Sequence, residues 1–453
     1  AVSHGNGGAG AGGDDRGQGL AYLCMTIIGI GYLFPISAIW AAFDYWKVVF
    51  PTINIEFIST VVYQTGSMLT VIVLMLTKSF ALGPRILGGF SGQFVCLGVI
   101  FAFRWLSIPD AALLDILMAV VFLCSIATGY LDSAVLALCS QYSPRMQGFL
   151  QIGIGLGTLV SVLYRDATKL LLSGDVADAT SFYFAVALVT VLICVSCYRL
   201  LMSLPISQEV LRADGGYEDV CTVDSPLPMA CGFTSPQPRS RQNSQGDDRS
   251  EPLLAAEAAV KLAPAASAEV AIDEAAPSTF AAVWPHVWRN QAVTFFNLFL
   301  TTLCYPGLIT SIPCRQLIAL RTEHWFQTLL LTLFSLADIV GRFLTDERLG
   351  RAGLHHGNVW LTLVARAILF PLVLYCISDP SASDAVAFAV VALFGMLNGF
   401  CVSLSLIVMN DIPGLNIDQR KTCGRISACS VNGGLCAGSL AAAAVASIYG
   451  LGE

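Results

Sequence analysis

The sequence predicts an all-α polytopic membrane protein, with eleven transmembrane helices arranged as six and then five in a pseudo-symmetric bundle. Three observations predict it. Hydrophobic residues make up 55% of the 453-residue chain and charged residues 12%, about half the roughly 25% usual for soluble domains. Apolar runs of the roughly 20 residues needed to cross a bilayer recur along the chain. The charges that interrupt those runs are few and isolated, above all Asp338 and Arg342 in Ser335-Leu-Ala-Asp-Ile-Val-Gly-Arg-Phe-Leu344. A charge at membrane depth costs roughly 2.5–3.5 kcal/mol on insertion scales, so it faces a partner, a cavity or a substrate.

The expected spans are 19–41, 55–77, 86–104, 112–138, 147–172, 181–203, 291–312, 323–345, 358–377, 385–409 and 424–449. The Gly-rich stretch 1–18 reads as a flexible cytoplasmic segment. It is not a signal peptide, since it lacks a basic start followed by an apolar core. Spans one to six (19–203) form one bundle and spans seven to eleven (291–449) a second.

The segment 204–290 differs in kind. It is rich in Ala, Pro, Ser, Asp and Glu, with few aromatics before Trp284. Such a composition cannot bury enough apolar area to fold alone, so it reads as a disordered central loop. Within it, Arg239-Ser-Arg-Gln-Asn-Ser244 fits either a basophilic kinase site at Ser244 or a solvated charge cluster. Asp247-Asp-Arg-Ser-Glu-Pro-Leu-Leu254 approximates an acidic dileucine sorting signal.

Orientation follows from Lys and Arg in the loops. With the N-terminus inside, the inside loops hold Lys78, Arg85, Arg145, the basic residues of the central loop, Arg348, Arg351, Arg420, Lys421 and Arg425. The outside loops hold Lys47, Arg104, Arg165, Lys169, Arg315 and Arg321. The bias predicts a cytoplasmic N-terminus and, with an odd number of spans, a C-terminus outside. The membrane expected is the plasma membrane, with a vacuolar or endosomal membrane as the alternative.

Other classes find little support. A net charge of −7 argues against nucleic acid as a partner. Most of the 15 cysteines lie in apolar runs, without metal-ligand spacing, and read as small core residues. There is no Walker A motif and no Gly-x-Ser-x-Gly element. The five histidines lie in tails or at loop edges. The pair His355-His356 reads as solvated rather than metal-binding. No enzyme activity, cofactor or metal is expected, and the partners are the lipid bilayer and a small-molecule substrate.

The chain resembles the equilibrative nucleoside transporters over nearly its whole length. The resemblance rests on Gly29-Ile-Gly-Tyr-Leu-Phe-Pro35 and Phe43-Asp-Tyr-Trp46 in and after span one. It rests further on Asp338, Gly341 and Arg342 in span eight, Arg366-Ala-Ile-Leu-Phe-Pro371 in span nine, and Asn398-Gly-Phe400 in span ten. It implies a major-facilitator-like fold and a central cavity. There Asp338 accepts from, and Arg342 donates to, the hydroxyls of a sugar. The chemistry agrees, because a carboxylate only accepts and a guanidinium offers several fixed donors. The alternatives are an internal salt bridge that pins helices, or an Arg342 that snorkels to the interface.

The resemblance also places Leu33 at the cavity wall, and Trp40 either at the cavity or at the membrane boundary. The chain departs from the family in span four. Where many relatives carry a Gln that recognises the nucleobase, this chain has Leu131-Asp-Ser133. Asp132 is then an acid inside a span, able to accept from a base, take a proton or favour a cation, with Ser133 beside it. Alternatively it pairs with Arg145. Arg366 is expected to pair with an acid across the bundle. Pro35, Pro306 and Pro371 are expected kinks, since each removes a backbone donor.

Three functions compete: a facilitative carrier of nucleosides, and of nucleobases besides; a proton-coupled nucleoside or organic-cation carrier on the same scaffold; and a membrane receptor or channel. The first is favoured; Asp132 is the feature that would favour the second, and eleven spans with scattered buried charges and no charged pore ring weigh against the third. Deleting about 215–275 is expected to leave transport intact, because that stretch has no core and only links two bundles. Loss of uptake by a correctly inserted deletion variant would mean that the loop gates or folds the bundle.

Overall fold

The fold is described by a computed structural model. The structure describes residues 11–77, 82–105, 109–142, 144–172, 176–208, 279–321, 325–345, 354–355, 357–410, 412 and 414–450. Among them, eleven helices are long and apolar enough to span a membrane, and there is no strand. They are α1 (Ala11–Ala41), α2 (Ile55–Leu76), α3 (Leu82–Ala102), α4 (Asp110–Cys139), α5 (Pro144–Leu171) and α6 (Val176–Ser203). After the central segment come α7 (Phe280–Cys304, resuming as Gly307–Thr310), α8 (Trp325–Phe343), α9 (Leu361–Ala367, resuming as Leu369–Ser378), α10 (Asp384–Asn410) and α11 (Ile417–Ile448). The chain is an integral membrane protein. The expectations for Ser244 and for Asp247 to Leu254 lie outside the described residues.

The starts of three helices differ most from the sequence reading: α1 begins at Ala11, so the stretch 1–18 expected to be flexible is helical from there on, and two others differ for local reasons. Helix α7 starts at Phe280 rather than at 291. Its first turns bury Val283, Val287 and Asn290 while leaving Phe280, Trp284 and Trp288 exposed. Pro285, His286 and Arg289 hide this amphipathic turn from a hydropathy reading. Helix α11 starts at Ile417 rather than at 424, because Asn416 and Gln419 form a capping box: each side chain accepts from the other residue's backbone N–H.

Two of the expected kinks are breaks. Helix α7 is interrupted at Tyr305-Pro306. Helix α9 is interrupted at Ile368, next to Ala367, whose carbonyl Pro371 cannot satisfy for want of an N–H. Pro35, by contrast, lies within a continuous helix.

The two halves pack by one plan. Helix α1 packs on α5 as α7 packs on α11, and α2 on α4 as α8 on α10. Between lipid-soluble helices there is little hydrophobic drive, so close backbone approach through small residues matters. A Cβ at Gly29 would stand 2.6 Å from the Leu150 carbonyl oxygen, and one at Gly157 would stand 2.5 Å from that of Ile30. Across the halves, α5 packs on α8, and α11 packs on α2 and α4. The central cavity lies between these contacts.

One end of the first half is held by charge. After α1 ends, the short helix Phe43–Val49 turns back, and Trp46 Nε1 donates to the Ile39 carbonyl at 2.8 Å. Asp44 accepts two hydrogen bonds of 2.9 Å from Arg165 of α5, and Lys169 stands 3.4 Å away. All three are buried. Removing one partner of a buried pair leaves the other charge without compensation. Asp44→Asn, which takes the shared acid from both cations, is therefore expected to destabilise the fold by about 3–5 kcal/mol, measured by thermal unfolding of the purified protein in detergent. Adding Arg165→Met is expected to restore part of that loss.

Candidate functional site

A cavity of about 120 Å³ lies at the centre of the bundle, lined by eight of the helices. Its most strongly polar wall is built on α8. Asp338 and Arg342, four residues apart, point the same way, and Arg342 Nε donates to Asp338 Oδ2 at 2.6 Å. Neither group snorkels: Asp338 is 3% and Arg342 6% exposed. The guanidinium also crosses to α5, where Nη1 donates to the Gln151 carbonyl at 2.8 Å and to its Oε1 at 3.1 Å. The second oxygen of Asp338 accepts from Asn398 Nδ2 of α10 at 2.6 Å.

Glycines make that last bond possible. Helices α8 and α10 approach so closely that a Cβ on Gly399 would collide with the Asp338 carbonyl, and one on Gly341 with that of Met396. Only such an approach brings the short Asn398 side chain within reach of the carboxylate.

Asn398 is also the bridge to the next cation. Its Oδ1 accepts from Arg366 Nη2 at 2.9 Å and from Thr301 Oγ1 at 2.5 Å. Arg366 donates further to Thr301 Oγ1 and to the Asn297 carbonyl, and lies over the Phe394 ring at 5.2 Å. The expected direct pairing of Arg366 with an acid is thus corrected: an amide stands between Arg366 and Asp338. The amide can do this because it accepts at one end and donates at the other.

On the far side of the cavity stands Asp132 of α4, 3% exposed. It pairs with no cation among the described residues, and Arg145, its expected alternative partner, is exposed. Its Oδ2 accepts from Asn432 Nδ2 of α11 at 2.6 Å, and Oδ1 has no partner. Ser133 does not line the cavity. One residue along a helix is about 100° round, and its hydroxyl accepts from Arg85 of α3 and donates to the Gly129 carbonyl at 3.0 Å.

Leu33 and Trp40 both line the cavity from α1. Trp40 is 9% exposed and meets Tyr63 edge-on at 5.8 Å, so it is not an anchor at the membrane boundary. Opposite, Tyr305 stacks on Phe334 at 4.3 Å. Six buried polar atoms in this cavity have no hydrogen-bond partner: Trp40 Nε1, Tyr63 Oη, Gln64 Oε1, Asp132 Oδ1, Gln151 Nε2 and Ser335 Oγ. Buried polar groups are normally satisfied, so a cavity with two spare N–H donors, two spare oxygen acceptors and two hydroxyls able to do either is shaped for a polar, multidentate ligand.

The sequence reading missed Gln64, Ser67, Gln151, Thr301 and Asn432. A signal exists for the first two. Thr60, Gln64 and Ser67 recur at helical spacing along one face of an otherwise apolar span, which marks an inward polar stripe. Amide side chains reach the cavity from other helices instead: Gln64, Gln151, Asn398 and Asn432.

Comparison with known proteins follows the same lines. Residues 117–446 match the model of the nucleoside transporter family. Nucleoside transporter 2 of Leishmania donovani is 24% identical over 406 residues, which cover 82% of this chain and 79% of that one. Equilibrative nucleotide transporter 1 of Arabidopsis thaliana is 22% identical over 451 residues, covering 93% and 85%. Among solved structures, the proton:xylose symporter XylE of the major facilitator superfamily superposes with a TM-score of 0.56 at 10% identity, covering 95% of this chain and 89% of that one. The fold is major-facilitator-like.

Replacing Asn398 by Leu removes the bridge and leaves Asp338 Oδ1 buried without a donor. Asn398→Leu is expected to cost about 1–3 kcal/mol, the usual penalty for such a group, read as a lower unfolding temperature with the protein still inserted.

Proposed function

The chain belongs to the nucleoside transporter family, and we propose that it carries nucleosides, and nucleobases besides, across the membrane by facilitated diffusion. The two halves would expose the central cavity to each side in turn. The observation that carries this reading is the Asp338–Arg342 pair at the wall of a cavity that holds unpaired donors and acceptors. A ribose offers hydroxyls that both donate and accept. They suit a carboxylate and a guanidinium fixed side by side. Leu33, Trp40 and the Tyr305–Phe334 stack supply apolar and aromatic wall for a base. Arg342 and Asp132 are the charged contacts beyond Asp338, and Ser133 stays outside this set.

The name of the Leishmania donovani relative agrees with this substrate class, and that of the Arabidopsis thaliana relative says nucleotide. The charge bias of the loops supports a cytoplasmic N-terminus and an outward C-terminus, and we take the plasma membrane as the place of action. The segment that precedes Phe280, from 204 onward, is read as a link between two transport bundles that accepts phosphate at Ser244.

A second reading has one observation in its favour. Asp132 has no cationic partner among the described residues, so its carboxyl is available to carry a proton. On that reading the protein is a proton-coupled carrier.

Reconstitution separates the two. In proteoliposomes, labelled nucleoside is expected to reach the same concentration inside as outside, and an imposed proton gradient is expected to leave that plateau unchanged. Accumulation above the external concentration under an inward proton gradient would establish coupling instead. Asp338→Asn and Arg342→Ala are each expected to lower uptake at least tenfold at measurable surface expression. A hydrogen bond to a charged group contributes about 1.5–3 kcal/mol, and 1.4 kcal/mol is a factor of ten. Uptake by both variants at the parent rate would remove the pair from the substrate site.

A further inference from the structure

The Asp132 side of the cavity differs in chemistry from the Asp338 side, and the difference bears on which bases fit. Asp338 is compensated on both oxygens. Asp132 is held on one oxygen and open on the other. The holding group is itself fixed: Ser67 Oγ of α2 donates to Asn432 Oδ1 at 2.6 Å. Asn432 Nδ2 then spends its two hydrogens on Asp132 Oδ2 and on the Ala428 carbonyl at 2.9 Å. The Ala428 carbonyl can only accept, which fixes the direction of the amide. Three helices therefore converge on one open carboxylate oxygen, and the amide beside it has no hydrogen left to give. Neither group that holds Asp132 has a hydrogen left for a ligand, and the unpartnered hydroxyl on α2 is that of Tyr63, one turn before Ser67.

Resting on the nucleoside reading above, we propose that Asp132, held by Asn432 and Ser67, selects nucleosides whose base carries a ring N–H. Guanine and hypoxanthine present N1–H, and guanine adds its 2-amino group alongside. Uracil presents N3–H. Each can donate to Asp132. Adenine and cytosine present a bare ring nitrogen beside their amino group. When that amino group donates to Asp132, the ring lone pair faces the carboxylate and finds no donor on Asn432 or Ser67. A site built around a hydrogen bond rejects ligands that leave its polar groups unpaired far better than an apolar pocket rejects a size difference. The expected order is guanosine, inosine and uridine ahead of adenosine and cytidine.

The test uses the full chain in proteoliposomes, with labelled guanosine, inosine, adenosine and cytidine measured separately. The parent is expected to take up guanosine and inosine at least tenfold more efficiently than adenosine or cytidine. Asp132→Asn puts a donor where there was only an acceptor, so the guanosine-to-adenosine ratio is expected to fall at least tenfold. Ser67→Ala leaves Asp132 in place and releases Asn432, and is expected to narrow the same ratio. Should Asp132→Asn not fold, Ser67→Ala and the thermal stabilisation of the purified parent by guanosine against adenosine decide. Equal uptake of guanosine and adenosine by the parent, or a ratio that neither variant moves, overturns the assignment while leaving nucleoside transport standing. Absence of uptake of every nucleoside overturns the transport reading and this selectivity with it.

Discussion

The buried pair Asp338–Arg342 is the interaction on which the centre of this molecule is organised. Two charges taken out of water cost several kcal/mol each, and their attraction offsets that only if the remaining lone pairs and N–H groups are also satisfied. A single helix cannot do this. Asp338 needs Asn398 from α10, and Arg342 needs Gln151 from α5. Those partners are within reach because glycines remove the side chains that would keep the helices apart. Gly341 and Gly399 face backbone carbonyls across the α8–α10 contact, and a Cβ on Gly155 of α5 would stand 2.5 Å from Arg342 Nε. The charge pair and the small residues form one device, and either would be a liability without the other.

The distribution of polar contacts then separates rigid parts from movable ones. Among the described residues, the buried ion pairs lie within one half: Asp44 with Arg165 and Lys169 in the first, Asp338 with Arg342 in the second. The contacts that cross between halves are of a weaker kind. Along the α5–α8 seam they are Arg342 to Gln151, Thr332 donating to Asp166 at 2.8 Å, and Lys169 over the Trp325 ring at 4.6 Å. Between α4 and α11 there is Asp132 with Asn432. Hydrogen bonds and cation–π contacts of this sort contribute about 0.5–3 kcal/mol each. A fold whose halves must part and rejoin during transport needs this ordering, with its strongest electrostatic bonds kept inside the bodies that move.

The legibility of the sequence follows the same physics. The spans were readable because lipid forces long uninterrupted apolar helices. The starts of α7 and α11 were not, since an amphipathic first turn and a capping box are local hydrogen-bond and interface features that an average over 20 residues erases. Asp338, Arg342 and Asp132 stood out because a charge in an apolar run has few explanations. Asn398 was recognisable only as part of the Asn398-Gly-Phe400 element, and its part in separating Arg366 from Asp338 depends on three helices meeting. Ser133 was a neighbour in sequence and not in space. Gln151, Asn432 and Ser67 are ordinary polar residues in spans that contain several, and only the fold distinguishes those that turn inward.

The two acids of the cavity show how far identical side chains can diverge. Asp338 is neutralised by a guanidinium on its own helix and held by an amide, so its surroundings offer donors as well as acceptors. Asp132 meets an amide alone, and that amide is used up. A ligand entering this cavity meets a charge-balanced wall on one side and an unbalanced acceptor on the other. Hydroxyls, which donate and accept, are at home at the first, while a bare N–H is at home at the second. A molecule with hydroxyls at one end and an N–H edge at the other satisfies both walls in one orientation, and in the reverse orientation it leaves buried donors or acceptors unpaired at each. Polarity of this kind aligns a substrate without a close steric fit, which suits a cavity whose walls must move apart to release it.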